Sequence, residues 1–540
     1  MVHNLRYQPD PRPALIAVFL MLAAALPACA SLTDRPVAGG SDEPAPVVHT
    51  AQGDVRGFVD EGIAVFRGIP FAGDVSGKGR WRPPGPAPEW QGVRDGTRHG
   101  AICPQSTQER NGAVAPWLAA FEMAEDCLNL SVYSPQLKAG SKVPVIMWIH
   151  GGFARIGTGS RHDGKALAKR DAVVVTINYR LDSLGLFAHP ALTARQTDEP
   201  LANYGLMDMA AALRWVQDNI DAFGGDPGNV TIAGQSSGGV AVTALMTSPM
   251  TRGLYHRAIA QSGAMANLEQ ARRASVDQPG SPSLEKDGEA LATALGVDPG
   301  GDFPAKLRAL PWQKIIAYSE TLPAGAMVPV TDGRFLPGNV DRTFARGEQN
   351  PTPLMIGTTD WEQSLVTNFD IPLAAILRGT PADEARSAYP ALDDKPLVEE
   401  WFADTGFHAP ARFLARQVAA HGGKAFVYRF SHLPADKRGS VPGAAHSDDV
   451  PYLFEPVGLP SVTGDATGKE LSRIMTGYWT NFARKGDPNG PGLPQWTAAG
   501  TDDLELMDLD VPPVMQTDPR SKQVQFHLQR YQTALEAMRP

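Results

Sequence analysis

A serine lies in a pattern that can make its hydroxyl a nucleophile. Ser236 stands in the run Gly-Gln-Ser-Ser-Gly-Gly at residues 234–239, directly after an apolar segment at residues 229–233. Where a buried strand turns sharply into a helix at Gly-x-Ser-x-Gly, the serine hydroxyl projects from the strand end, and the glycines allow close approach of neighbouring backbone. The motif by itself is weak, but the preceding strand and a helix predicted to begin near Gly239 indicate a nucleophilic serine.

A serine hydroxyl becomes reactive when a base takes its proton, and the base is usually a histidine oriented by a carboxylate. Six histidines follow Ser236: His256, His408, His421, His432, His446 and His527. His446 is favoured because it lies in a loop of small residues, Gly-Ala-Ala-His-Ser-Asp-Asp at residues 443–449, that can approach the serine. His432, which closes a predicted strand over residues 424–430, remains the alternative.

Two acids compete for the third position. Asp360 and Glu362 both follow a predicted strand over residues 353–357, and the residues alone leave this choice open. A site for the developing negative charge is also needed, and backbone N–H groups usually provide it. The run His-Gly-Gly-Phe at residues 150–153 follows another predicted strand, residues 143–149, and is the candidate for this role.

The elements that position these residues alternate between strands and helices. Further strands are predicted over residues 172–178 and 229–233, and an amphipathic helix between them spans Leu206 to Phe223. This alternation predicts a mostly parallel sheet covered by helices on both faces. Ligands in such sheets bind at the carboxyl ends of the strands, where the predicted chemistry is found.

The composition indicates a folded protein that does not bind nucleic acids. The 540 residues include 43% apolar residues, enough for a substantial core, and 49 basic against 58 acidic residues give a net charge of −9. A nucleic-acid binder normally presents a basic face, so no nucleic-acid partner is expected.

The first thirty residues resemble an export signal. Arg6 and Arg12 precede an apolar run from Ala14 to Leu26, which is too short to span a bilayer. Leu-Pro-Ala-Cys at residues 26–29 resembles a lipobox with Cys29 as the lipidated residue, and cleavage after Ala30 is the alternative. We therefore expect an exported protein that is periplasmic, secreted or lipid-anchored, with a signal peptide at 1–29, a linker at 30–46 and one domain at 47–540.

Two cysteines remain besides Cys29. Cys103 and Cys127 form a natural pair in an oxidising compartment, where a disulfide is the default. No neighbouring histidine or cysteine completes a set of metal ligands, so no metal site is predicted.

Nearly the whole mature chain resembles the type-B carboxylesterases, the cholinesterase-like branch of the α/β-hydrolases. The matching motifs run in order along the chain: residues 66–72 Phe-Arg-Gly-Ile-Pro-Phe-Ala, 125–130 Glu-Asp-Cys-Leu-Asn-Leu, 178–181 Asn-Tyr-Arg-Leu, 219–227 Asn-Ile-Asp-Ala-Phe-Gly-Gly-Asp-Pro, 261–263 Gln-Ser-Gly and 478–483 Tyr-Trp-Thr-Asn-Phe-Ala. The resemblance implies an α/β-hydrolase fold with insertions that form a gorge over the carboxyl ends of the strands.

The resemblance also implies roles for particular residues. It selects Glu362 as the acid and His446 as the base, and it assigns the oxyanion donors to the N–H groups of Gly152, Phe153 and Ser237. Cys103 and Cys127 match the family's first disulfide.

The chain departs from the family pattern at three positions. Gln235 and Ser237 flank the nucleophile where the family usually has Glu and Ala, and Phe153 replaces a Gly or Ala. We expect Phe153 to reshape the acyl side of the pocket. Two further residues are predicted to contact substrate: Trp117, as an aromatic wall of the gorge, and Arg155, as a partner for a negative group near the scissile ester.

The predicted function is therefore that of an exported serine carboxylesterase acting on small-molecule esters through Ser236, Glu362 and His446. No cofactor is implied, and a membrane contact is expected only through a lipid on Cys29. The alternatives are a catalytically inert cell-surface binding protein on the same scaffold and an amide or carbamate hydrolase.

Overall fold

A computed structural model of the protein describes residues 45–107, 115–266, 272–278, 281–323, 326–369, 371–377, 380–456 and 465–537. The predicted signal peptide, including Cys29, and most of the predicted linker lie outside the described residues. Residues 36–540 form one compact unit.

The strands in the described ranges are β1 Val47–Thr50, β2 Gly53–Arg56, β3 Phe58–Asp60, β4 Ile63–Pro70, β5 Val93–Asp95, β6 Asn129–Ser134, β7 Val143–Ile149, β8 His162–Asp163, β9 Val173–Ile177, β10 Gly225–Gln235, β11 Arg257–Gln261, β12 Leu354–Thr359, β13 Ala425–Phe430, β14 Glu455–Pro456, β15 Glu505–Leu509 and β16 Val514–Thr517.

The α-helices in the same ranges are α1 Lys165–Ala168, α2 Asp182–Gly185, α3 Pro190–Thr193, α4 Tyr204–Asn219, α5 Ser237–Leu245, α6 Leu284–Ala294, α7 Phe303–Arg308, α8 Trp312–Ser319, α9 Val340–Ala345, α10 Leu373–Leu377, α11 Ala382–Ala388, α12 Asp394–Ala403, α13 Ala409–Ala420, α14 Ala466–Lys485 and α15 Ser521–Ala537. None of these helices has the length and apolar composition to cross a bilayer.

Eleven of these strands form the main sheet of the described chain, in the order β16-β15-β13-β12-β11-β10-β7-β9-β6-β4-β3. The neighbours from β9 through β7, β10, β11, β12 and β13 to β15 pair in parallel. Antiparallel pairs extend the sheet at both edges. The carboxyl ends of the central strands therefore meet along one rim, as the alternation of elements predicts.

Helices cover both faces of this sheet. Alternate residues of β7 pack into two different cores, with Val145 and Met147 in one and Ile146 and Trp148 in the other. Helices α4, α5 and α13 contribute to the first core, and α14 contributes to the second. Both faces of the central strands are buried under helices. Successive residues of these strands are therefore apolar, and each strand is a continuous apolar run in the sequence.

The predicted strands and the amphipathic helix are present, with differences at the ends of several elements. Helix α4 ends at Asn219, and a 3₁₀ turn over Ile220–Phe223 leads to Gly224, whose φ of 80° stops the helix. Helix α5 begins at Ser237 rather than near Gly239, because the turn at the nucleophile takes a single residue.

Candidate active site

Ser236 occupies the turn between strand β10 and helix α5. Its φ of 56° and ψ of −124° form a backbone conformation that side chains rarely adopt, and such strain is typical of functional positions. Gly238 is required by close packing, because a Cβ there would lie 2.1 Å from the carbonyl oxygen of Ile149. The serine is thereby held at the carboxyl end of the sheet, at the N-terminus of a helix.

His446 and Glu362 are in direct contact at the same rim. Nδ1 of His446 lies 2.5 Å from Oε2 of Glu362, which is fully buried. The N–H of Thr359, at the end of β12, donates to Oε1 of Glu362 (2.9 Å) and orients the carboxylate. The hydroxyl of Ser364 accepts from the N–H of His446 (2.9 Å), which holds the loop of His446 in place. Glu362 can therefore fix the tautomer in which Nδ1 carries the proton.

The side chain of Gln235 connects the turn at Ser236 with the loop of His446. Its Nε2 donates to Oγ of Ser447 (2.8 Å) and lies 3.2 Å from Nε2 of His446. Gln235 directly precedes Ser236, so this contact joins the neighbour of Ser236 to the imidazole Nε2 of His446.

The predicted oxyanion loop lies beside Ser236. Gly152 has a φ of 110°, and a Cβ there would lie 2.0 Å from the carbonyl oxygen of Ile156, so glycine is required. Ser237 is the first residue of α5, where backbone N–H groups have no acceptor within the helix. The N–H groups near the nucleophile are thus of the kind that can stabilise an oxyanion.

A cavity of about 190 Å³ opens next to Ser236. Ser236, Ser237 and Phe153 line it, and much of the rest of the lining is apolar, including Leu186, Leu206, Met209, Met327, Leu365, Phe402 and Phe407. Phe153 is thus on the wall of the cavity, where the sequence places it. The apolar lining indicates a ligand with an apolar group.

The other competing candidates have partners of their own. Asp360 accepts from the N–H of Ala444 (2.7 Å) and from Arg429 (3.1 Å) and does not contact a histidine side chain in the described contacts. Nδ1 of His432 lies 2.6 Å from Oδ1 of Asp510. The structure therefore pairs Glu362 with His446 and gives Asp360 and His432 other partners.

Trp117 and Arg155 lie outside the lining of the cavity. The Trp117 ring packs edge-to-face on Phe121, and the Arg161 guanidinium lies 4.5 Å from its centroid. The Arg155 guanidinium contacts Asp182 and donates to the carbonyl groups of Ser319, Leu322 and Pro323. Contact of Trp117 with substrate stays a prediction, and the acceptors around Arg155 favour a structural role over its predicted contact with substrate.

Sequence reasoning did not find two further groups near the site. Asp449 is fully buried, accepts from Gln261 (2.8 Å) and Tyr428 (3.1 Å), and has its pKa raised to about 6 by burial. The Phe407 ring packs edge-to-face on the His446 imidazole, with centroids 5.2 Å apart. Phe407 belongs to a π-helical turn, Asp404–His408, and such turns often mark functional sites, but sequence periodicity does not reveal them.

The sequence matches the model of the carboxylesterase family over residues 44–390 and 391–527. The chain belongs to the carboxylesterase family. It is a carboxylic ester hydrolase with the α/β-hydrolase fold, as the motifs indicate. The large, mostly parallel sheet with helices on both faces is the sheet of that fold.

Relatives of this carboxylesterase match it over most of its length. It is 34% identical to acylcarnitine hydrolase of Mus musculus over 90% of this chain and 92% of that protein. It is 33% identical to fumonisin B1 esterase of Sphingopyxis macrogoltabida, covering 86% of both proteins.

Solved structures of similar carboxylesterases match the same fold. A PNB esterase has a TM-score of 0.76 at 28% identity, over 89% of this chain and all of that one. The carboxylesterase EST55 of Geobacillus stearothermophilus has a TM-score of 0.74 at 31% identity, over 91% of this chain and 99% of that one.

The cysteine pair of this carboxylesterase is bonded. Sγ atoms of Cys103 and Cys127 are joined in a disulfide that spans 24 positions of the chain. The loop between them includes Trp117. Cys127 lies shortly before Asn129, the first residue of β6. The bridge therefore closes the loop next to a strand of the main sheet.

Proposed function

We propose that this enzyme hydrolyses carboxylic esters through Ser236, His446 and Glu362. Oγ of Ser236 attacks the ester carbonyl carbon while Nε2 of His446 takes its proton, and the protonated imidazole then gives that proton to the leaving alcohol. A water molecule, deprotonated by the same imidazole, releases the acid from the acyl-enzyme. The contact that carries the proposal is the 2.5 Å bond between Glu362 and His446, beside Gln235.

In this proposal the negative charge on the carbonyl oxygen is stabilised by backbone N–H groups. Those of Gly152 and Phe153 approach from the loop after β7, and that of Ser237 approaches from the start of α5. The helix N-terminus adds a favourable dipole at the same place.

The apolar lining of the cavity favours binding of esters with an apolar acyl or alcohol group. Apolar side chains surround the space beside Ser236, and burial of each CH₂ group contributes about 0.8 kcal/mol to binding. We expect kcat/KM on a series of p-nitrophenyl esters to rise with acyl chain length until the cavity is filled. The measurement is a steady-state rate panel on purified enzyme.

Substitution of the three residues tests the assignment. We expect Ser236→Ala and His446→Ala to lower kcat by about 10⁴-fold or more, and Glu362→Gln to lower it by about 10²- to 10⁴-fold. His432→Ala is the matched control and should keep most of the activity. Loss of activity in His432→Ala with activity retained in His446→Ala would assign the base to His432.

Labelling distinguishes an active esterase from an inert binding protein. An organophosphate should form a stoichiometric adduct on Ser236 that peptide mass mapping locates, and absence of the adduct in folded protein would support the inert alternative. Rates on matched amides and carbamates decide whether the same residues also cleave those bonds.

We further propose that the protein is exported and that its mature part is one domain from residue 47 to residue 540. The leader at 1–29 supports export, and intact mass of the mature protein tests it. A mass that corresponds to a lipidated Cys29 indicates an anchored protein, whereas a start at Ser31 indicates ordinary cleavage.

A further inference from the structure

The loop that supplies the predicted oxyanion donors has an unfavourable backbone. Phe153 and Ala154 have φ of 60° and 56°, and both are residues with a Cβ in the left-handed region. Such a conformation persists only where surrounding contacts hold it. These contacts decide where the N–H groups of Gly152 and Phe153 point.

Ala154 is held at both of its peptide groups. Its N–H donates to Oγ of Ser237 (2.9 Å), and its carbonyl oxygen accepts from the N–H of Asp182 (2.7 Å). The first of these bonds depends on the side chain of the residue that follows the nucleophile. The alanine that the family usually has there could not accept it.

Tyr179, whose hydroxyl interacts with the side chain of Ser237, holds the other end of the loop. It donates to the carbonyl oxygen of His150 (2.8 Å). The Tyr179 ring also stacks on the His150 imidazole, with centroids 4.4 Å apart. Since Tyr179 is buried and its pKa is raised by burial, it remains a hydrogen-bond donor at neutral pH.

We propose that the Ser237 hydroxyl is a positioning residue for the oxyanion hole, an inference that rests on the proposed function of Ser236. Its hydroxyl accepts from the N–H of Ala154 on one side of Gly152 and Phe153, and its side chain interacts with Tyr179, which donates to His150 on the other side. Its own backbone N–H is the third predicted donor. One residue thereby sets the spacing between the donors of the loop and the donor of α5.

A fixed spacing matters because donors stabilise the oxyanion only when they point at the position it occupies in the transition state. Ser237→Ala keeps the backbone N–H and removes the hydroxyl. We expect kcat to fall by about 10- to 100-fold, less than the roughly 10²- to 10³-fold loss that follows removal of a donor itself. KM for a neutral ester should stay within about twofold, because ground-state binding in the apolar cavity is unchanged.

Inhibition by an alkyl trifluoromethyl ketone separates positioning from a general structural effect. Its adduct with the nucleophilic serine carries an oxyanion, so Ki should rise in Ser237→Ala by the same factor by which kcat/KM falls. Tyr179→Phe removes only the link to His150 and should change kcat and Ki in the same direction by a smaller factor. It also provides the test if Ser237→Ala does not fold.

Ser134→Ala is the matched control for loss of a buried serine hydroxyl. The Ser134 hydroxyl bonds the carbonyl groups of Gln136 and Phe223 and accepts from the N–H of Gln136 (3.2 Å), and neither of these residues lines the cavity. This variant should lower the melting temperature and leave kcat and Ki unchanged.

The result that overturns the inference is wild-type kcat and Ki in both Ser237→Ala and Tyr179→Phe. An increase of KM with unchanged kcat in Ser237→Ala would also overturn it. Ser236→Ala, measured in parallel, tests the proposed function separately. If Ser236→Ala retains turnover, the proposed function fails, and if it is inactive while Ser237→Ala behaves as wild type, only this inference fails.

Discussion

At the scale of single residues, Gln235 is the group that most distinguishes this site from the family pattern. Its neutral amide contacts His446 Nε2 and Ser447 from the side of the nucleophile, where the family usually has a carboxylate. The amide supports the loop of the base without adding negative charge next to the imidazole. Charge at this position therefore has a direct effect on the proton transfer.

Gln235→Glu should move the acidic limb of the kcat/KM profile toward higher pH. A carboxylate close to the imidazole favours the protonated form, which cannot accept the proton of Ser236. The measurement is kcat/KM for a neutral ester from pH 5 to 9. Gln532→Glu, which adds the same charge at an exposed position of α15, controls for net charge and should leave the profile unchanged. An unchanged profile in Gln235→Glu would contradict the prediction.

Arg155 joins three parts of the molecule that surround the site. It belongs to the loop after β7, contacts Asp182 at the start of α2 and donates to carbonyl groups at the end of α8. These oxygen atoms already accept the guanidinium N–H groups of Arg155. We therefore expect Arg155→Ala to lower kcat/KM by the same factor for a monoester of a dicarboxylic acid and for its neutral diester. The two rates are compared in wild type and variant. A selective loss on the charged ester would show that the guanidinium binds the substrate carboxylate, as the sequence predicts.

At the scale of elements, the disulfide closes the loop between Cys103 and Cys127. The loop between Cys103 and Cys127 contains no β-strand of the main sheet among its described residues, and a small cluster around Ile102 and Leu118 packs it. Cross-linking such a loop reduces the conformational entropy of the unfolded chain.

The double variant Cys103→Ser/Cys127→Ser should lower the free energy of unfolding by about 3 kcal/mol, as the loop-entropy relation gives for a loop of this size. Denaturant unfolding of oxidised wild type and of the variant measures the difference. Reduced wild type is the control and should match the variant. Two free thiols in unreduced wild type, found by alkylation and mass mapping, would contradict the bond.

At the scale of the whole molecule, buried carboxyl groups shape the dependence of stability on pH. Burial raises the pKa of both Asp449 and Asp182 to about 6, above the usual value of 3.8. Between these values the folded state binds more protons at these groups than the unfolded state does. Their contribution to the free energy of unfolding therefore falls as pH rises from about 4 to about 6 and is constant above that.

Asp449→Asn should remove one of these contributions. The free energy of unfolding of the variant relative to wild type should increase as pH rises from about 4 to about 6, and then level off. Urea unfolding at several pH values from 4 to 8 measures this difference. Asp502→Asn, at an exposed position, is the control and should show no such increase. A difference that does not vary with pH would mean that the pKa of Asp449 is the same in the folded and unfolded states.

The sequence by itself determined the features that depend on short stretches of chain. The strands before Ser236, Gly151 and Glu362 were predictable because continuous β-branched and apolar runs suit a sheet that is buried on both faces. The turn at Ser236 was predictable because two glycines flank the serine directly after such a run. The family pattern covers nearly the whole chain, so the class of fold and of reaction followed as well.

Only the tertiary structure decided which distant side chains meet. Glu362 and His446 are 84 positions apart, and the chemistry of the residues alone left Asp360 and His432 as competitors until each was placed with its own partner. The contacts of Gln235, Ser237 and Arg155 were not predictable either. A side chain's direction depends on the backbone of its own loop and on which acceptors other loops bring within about 3 Å, and neither is encoded in a local pattern.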